Sequence, residues 1–325
     1  MRNSFLGIKN APLNKARFVI LPLPYDVTTS YIKGTARGPD ALLKASAQVE
    51  TFDEELQNDT ASKVQIHTLG TPKLNFQSKA DKLIPGLGGY MKTLLGKLSP
   101  RQTLISLGGE HSLSYPIVSA YQAIYKDLSV LHLDAHSDLR DSYGGTKYSH
   151  ACVMKRIYDA NVRSIVQVGI RNLTADCLKL IQRHGSCAMG YALKRKTQDA
   201  QRSPERSDGR EHAEGGAPGG TLSTHFAHTQ PDYAKLGKSI LSNLTSHVYV
   251  TIDLDVFDPS VMPAVGTPEP GGLNWYQVLD VLRPVFTSKK VVAFDVVELC
   301  PLKGSIHSDF TTAKLIYRLM GYLNK

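Results

Sequence analysis

Short apolar runs recur along the chain, and between most of them lie stretches whose apolar positions fall at helical spacing. FVILPLP (18–24), VQIHTL (64–69), TLISLG (103–108), SVLHLD (129–134), SIVQVGI (164–170), HVYVTIDLD (247–255) and VVAFDVVEL (291–299) read as strands. They are apolar almost throughout, which suits parallel strands buried on both faces. Helical patterns occupy 38–52, 79–98, 114–127, 233–244, 274–286 and 309–323. The first has Pro39 and Asp40 at its entry, and Pro85 and several glycines interrupt the second. This alternation predicts one doubly wound α/β domain over 1–325, with ligands beyond the carboxyl ends of the strands. Residues 194–231 break the pattern. They are polar, without a period, and predict a flexible insertion or loop.

Composition narrows the classes. Of 325 residues, 42% are hydrophobic and 21% charged, as in a globular protein with a sizeable core. No apolar run is long enough to span a bilayer, and the basic N-terminus lacks the pattern of a secretory leader. A cytoplasmic protein is expected. Cys152, Cys177, Cys187 and Cys300 form no C-x-x-C pair and suit reduced thiols. The net charge of +9 is scattered, with no basic run alternating with aromatics, so no nucleic-acid partner is expected.

Three strand ends carry acids and histidines: LGGEHS (107–112), LHLDAHSDLRD (131–141) and IDLDVFDP (252–259). Alternate residues of extended chain share a face. Asp134, His136 and Asp138 should therefore converge, as should Asp253 and Asp255, with His111 brought in by a Gly-Gly turn. Two imidazoles with four carboxylates suit Mn2+ or a similar six-coordinate divalent ion. Four negative charges balance two such ions, and a pair about 3.5–4 Å apart activates water at neutral pH. A lone D-x-D more often caps a loop, and a lone histidine more often satisfies backbone groups. The three stretches together point to metal.

GGEHS, DAHSD and TIDLDVFDP…GTPEPGGL, in that order, match the metal-binding signatures of a known family: the chain resembles the ureohydrolases, the arginase and agmatinase group. PYDVTTSYIKGTARGPDALLKAS (24–46) and FDVVELCP (294–301) are similar to two further family segments, and the resemblance covers about 17–185 and 233–325. It implies a three-layer αβα sandwich with a mostly parallel sheet and two Mn2+ ions; nickel or iron share the ligand set. One ion would take His111, Asp134, Asp138 and Asp253, the other Asp134, His136, Asp253 and Asp255. The resemblance also gives Asp138 the task of orienting the attacking hydroxide, Glu298 that of pairing with a guanidinium, and His150 that of carrying a proton. Taken alone, Glu298 suits a surface salt bridge and His150 a helix start. Glu110, beside a ligand, suits a supporting role.

The loop at 138–156 is similar to the agmatinase branch, which implies agmatine as substrate, with urea and putrescine as products. Arg140 keeps 4-guanidinobutyrate open, since arginine pairs readily with carboxylate. N1-aminopropylagmatine and arginine are further alternatives. The non-enzymatic alternative is a metal-free regulatory or scaffold paralogue, against which all six ligands, Glu298 and His150 are present. The resemblance implies a homotrimer or homohexamer. It also implies a strand and helix between 170 and 247, where GSCAMGYALKRK is a poor strand. Either the region is a tolerated surface loop or a core strand is disrupted.

Overall fold

Each of the apolar runs becomes a strand, to within two residues of the expected start and end. A computed structural model describes residues 4–188, 220–230 and 232–324. Its strands are β1 (Phe18–Leu23), the short hairpin β2 (Phe52–Asp53) and β3 (Asn58–Asp59), β4 (Ile66–Thr68), β5 (Thr103–Gly108), β6 (Ser129–Leu133), β7 (Ser164–Ile170), β8 (Gly185–Ala188), β9 (Thr221–Phe226), β10 (His247–Asp253) and β11 (Lys290–Val297). The helices are α1 (Gly38–Ser46), α2 (Thr60–Lys63), α3 (Ala80–Leu95), α4 (Ser114–Ile124), α5 (Val153–Asp159), α6 (Ala175–His184), α7 (Tyr233–Ser239), α8 (Trp275–Ser288) and α9 (His307–Tyr322). Among the described residues, nine strands form one sheet in the order β4-β1-β5-β11-β10-β6-β7-β9-β8. Every pairing in it is parallel.

Alternation along each strand builds two cores. Phe18 and Ile20 of β1, Leu131 and Leu133 of β6 and Val250 and Ile252 of β10 face one layer, where Leu42 of α1, Leu236 of α7, Leu282 of α8 and Ile316 of α9 cover them. Val19 and Leu21, Val130, and Tyr249 face the other, under Leu87 of α3, Ile117 of α4, Ile157 of α5 and Ile181 of α6. The result is a three-layer αβα sandwich. Burial on both faces is why these strands read as continuous apolar runs.

Several expectations are corrected. The helical pattern at 38–52 ends at Ser46, whose hydroxyl donates to Leu43 O and accepts the Leu6 N–H. The chain then enters the β2–β3 hairpin, where Arg318 of α9 binds Asp53, Glu54 and Glu55. α3 runs on through Pro85, which lies inside it and forfeits one helical hydrogen bond there. The expected loop at 194–231 is in part a strand. Residues 189–219 lie outside the described residues, but β9 pairs with β7 on one side and β8 on the other. An apolar-run criterion misses β9 because Ser223, Thr224 and His225 are polar. Thr224 is nevertheless fully buried, its hydroxyl donating to Gln167 Oε1 at 3.0 Å.

Candidate metal centre

Four neighbouring strands, β5, β11, β10 and β6, end side by side and position the site. His111 opens a 3-10 turn (His111–Leu113) after β5, Asp253 ends β10, and Asp255 lies in the next turn, Leu254–Val256. Asp134 follows β6, with His136 and Asp138 further along that loop, and Glu298 follows β11. His150 comes from a separate turn, His150–Cys152, which leads into α5.

The cluster divides into two groups. His111 Nδ1 faces Asp134 Oδ2 at 3.1 Å, Asp253 Oδ2 at 3.2 Å and Asp138 Oδ2 at 3.3 Å. His136 Nδ1 lies 2.8 Å from Asp255 Oδ2 and 3.6 Å from Asp134 Oδ1. Asp134 thus turns one oxygen toward each group. Asp253, expected in both, turns Oδ2 to the first, while its Oδ1 accepts the Asp255 N–H at 2.9 Å. Asp134, His136 and Asp138 meet in this cluster, but strand alternation does not account for it. β6 stops at Leu133, the chain bends at Ala135, whose N–H donates to Asp255 Oδ1, and Asp138 adopts a φ of 51°. The bend at Ala135 and the turn at Asp138 aim these side chains as much as the pleat does. Glu298 also has a positive φ, 65°. Strained backbone at two candidate catalytic residues is typical of functional sites.

The donor set fits divalent cations. His111 Nδ1 is buried and makes no hydrogen bond, although three carboxylate oxygens surround it. Burial, then the Asp255 and Asp134 charges, push the Asp253 carboxyl well above the usual range. Burial works against a charged His136, yet Asp255 and Asp134 push it up to about 12. Burial opposes ionisation of Asp134 too, but His132, His111 and His136 hold it well below its ordinary value. Such opposed shifts describe protons standing in for positive charge that cations would supply.

Beneath the cluster runs a buried polar row that the sequence reading did not single out. Cross-strand register aligns Thr224, Gln167, His132, Thr251 and Asp295 on β9, β7, β6, β10 and β11. Gln167 Nε2 donates to Ser137 O at 2.9 Å and meets His132 Nδ1 at 3.0 Å, so His132 Nε2–H donates to Asp134 Oδ2 at 2.7 Å. Thr251 Oγ1 donates to Asp295 Oδ1 at 2.6 Å and accepts from His111 Nε2–H at 2.9 Å. Each histidine is thereby held in one tautomer, and His111 keeps its Nδ1 lone pair for a cation. Extending the alternation His136, Asp134 back one step would have found His132.

Arg171 was missed as well. Its guanidinium donates to the carbonyls of Asp255 at 2.6 Å, Glu269 at 2.8 Å and Pro270 at 3.1 Å. Asp258 Oδ2 accepts from the N–H groups of Gly271 and Gly272. Together they fix the Pro- and Gly-rich loop behind the aspartates.

A cavity of about 180 Å³ opens onto the cluster, lined also by Glu298, His150, Arg140 and Tyr143. Glu298 Oε1 accepts the His111 N–H at 2.7 Å, and burial followed by the Glu110 charge pushes its carboxyl well above the usual range. Burial lowers the His150 pKa, favouring a neutral ring. Glu110 is fully buried; Thr28 and Ser112 donate to it, and burial still leaves its carboxyl raised to about 7. Cys152, Cys177 and Cys300 are buried free thiols.

Fold and site together define an αβα sandwich with an acid–histidine centre whose two donor groups could each hold a metal ion. A sequence profile described as Arginase family matches residues 16–202 and 223–321. An N(1)-aminopropylagmatine ureohydrolase from Synechocystis sp. is 34% identical over 94% of this chain and 89% of the relative. An agmatinase from Pyrococcus horikoshii is 28% identical over 98% of this chain and 96% of its own length. The solved proclavaminate amidino hydrolase from Streptomyces clavuligerus shares the fold, with a TM-score of 0.76 at 24% identity over 98% and 96% of the two chains. The chain belongs to the arginase family and is a hydrolase acting on guanidino groups.

Proposed function

We propose that this chain hydrolyses an agmatine-type amine to urea and a polyamine, with N1-aminopropylagmatine as leading substrate and agmatine beside it. The observation that carries the reading is one cavity walled by five of the six donors, His111, His136, Asp138, Asp253 and Asp255, and by Glu298, with Asp134 buried behind them. His111, Asp134, Asp138 and Asp253 would hold one Mn2+ ion, and Asp134, His136 and Asp255 the other. When bound, the ions supply water activated at neutral pH. Glu298 accepts hydrogen bonds from the planar guanidinium. Asp138 orients the reacting water, and the His150 Nε2 lone pair takes up a proton released by that water and passes it to the amine nitrogen as the C–N bond breaks. The leading substrate follows the printed activity of the 34%-identical relative. Tyr31, 76% exposed beside the cavity, leaves room at the rim for a longer tail. The same reading takes the protein as a cytoplasmic homotrimer or homohexamer.

One observation favours a second reading. Arg140 lines the cavity, stacks 5.0 Å from the Tyr143 ring and forms no ion pair among the described residues. It is free to meet a carboxylate-ended substrate such as 4-guanidinobutyrate. Urea release by the Mn2+-loaded protein from N1-aminopropylagmatine, agmatine, 4-guanidinobutyrate and arginine separates the two. Preference for the amines supports the first reading; preference for 4-guanidinobutyrate, lost in Arg140→Ala, replaces it with the second.

A further inference from the structure

His150 stands on a support that reaches back to the loop after the first strand. Its backbone N–H donates to Thr28 Oγ1 at 3.0 Å, and its Nδ1 lies 3.2 Å from the same oxygen. Thr28 in turn is held by Glu110, which accepts the Thr28 N–H at 2.6 Å and its hydroxyl at 2.5 Å. The Ser149 hydroxyl, 3.3 Å from Nδ1, is the ring's other polar neighbour.

We propose that Thr28 and Glu110 are positioning residues that fix the tautomer of His150. This rests on the ureohydrolase reading for its catalytic meaning, but not for its geometry. The threonine hydroxyl has one proton, and Glu110, as a carboxylate, takes it. Thr28 Oγ1 can then only accept, which requires the proton of neutral His150 to sit on Nδ1. Nε2 is left with its lone pair and without a protein hydrogen bond among the described residues, on a ring that lines the cavity. Without the hydroxyl, the ring can turn its lone pair away from substrate and lose its acid–base role. A buried carboxylate, a hydroxyl and an imidazole thereby act in series, although residues 28, 110 and 150 are far apart in sequence.

The test combines spectroscopy with kinetics on the full-length chain. Nitrogen-15 spectra of histidine-labelled protein loaded with diamagnetic Zn2+, with His150 assigned by its loss in His150→Asn, should show protonated Nδ1. An Nε2–H tautomer in the unaltered protein would overturn the proposal. Thr28→Val should shift the population toward Nε2–H and lower kcat about 10–100-fold, at or below the lower end of general acid–base effects because the imidazole itself remains, with KM nearly unchanged. Thr28→Ser should restore both. Equal impairment of Val and Ser variants would mark a structural role and overturn the proposal. If no guanidino compound is hydrolysed, the spectrum still decides the tautomer, so the two readings fail separately.

Discussion

Thr251→Val tests whether the polar row governs metal binding. The change keeps the shape of the side chain while removing the acceptor for His111 Nε2–H and the donor to Asp295, contacts of 2.9 and 2.6 Å. All three residues are essentially buried, so water cannot replace what is lost. Asp295 keeps the Tyr249 hydroxyl as a donor at 2.5 Å, which limits the damage to the fold. Loss of a hydrogen bond behind a metal-ligating histidine typically weakens metal affinity about 10–100-fold, or roughly 1.4–2.7 kcal/mol. His111 belongs to one of the two groups only. Competition between the protein and a chromophoric chelator for Mn2+ should therefore show one of two binding steps weakened by that factor. The other should stay within about threefold, and Thr251→Ser should recover the first. Two unchanged steps, or two steps weakened equally, would refute the reasoning.

The remaining predictions concern the frame. Arg318 and Asp53 are each 1% exposed, so Arg318→Leu leaves a buried carboxylate unpaired and should cost about 3–5 kcal/mol in urea unfolding; a loss under about 1 kcal/mol would contradict this. Burial works against a charged Glu55, but hydrogen bonds from Arg283 and Tyr322 hold its pKa below the ordinary value. Its stabilisation is present above the unfolded value of about 4.3 and lost as pH falls through the lower folded one. Glu55→Gln should therefore flatten the decline of stability below about pH 4, read from thermal midpoints. A Cβ at Gly109 would stand 2.0 Å from the Tyr25 carbonyl oxygen. Gly109→Ala should destabilise by about 1–3 kcal/mol or more and reduce Mn2+ binding through His111, measured by calorimetry; an unchanged midpoint would exclude this tight approach.

What was legible followed from burial. Strands covered on both faces advertise themselves as apolar runs, and the acids and histidines at their ends stood out against that background. What stayed hidden was polar inside the sheet. Gln167 and Thr224 look like surface residues until register places Gln167 beside His132 and Thr224 beside Gln167, and β9 was obscured for the same reason. The link from Thr28 to Glu110 spans 82 positions, and only the fold closes it. The positive φ of Asp138 and Glu298 has no local signature in residues that are not glycine.

The strand order also sets a sequence in time. β10 inserts between β6 and β11, so the cluster is complete only after both neighbours have been made. His111 and the carboxylate that accepts its N–H are 187 positions apart, roughly 10–40 s of synthesis at about 5–20 residues per second. For much of that interval Asp134, His136 and Asp138 exist without Asp253 and Asp255. A full set of donors for the proposed ions therefore exists only once β10 is in place beside β6, and an ion met earlier by the nascent chain meets an incomplete set.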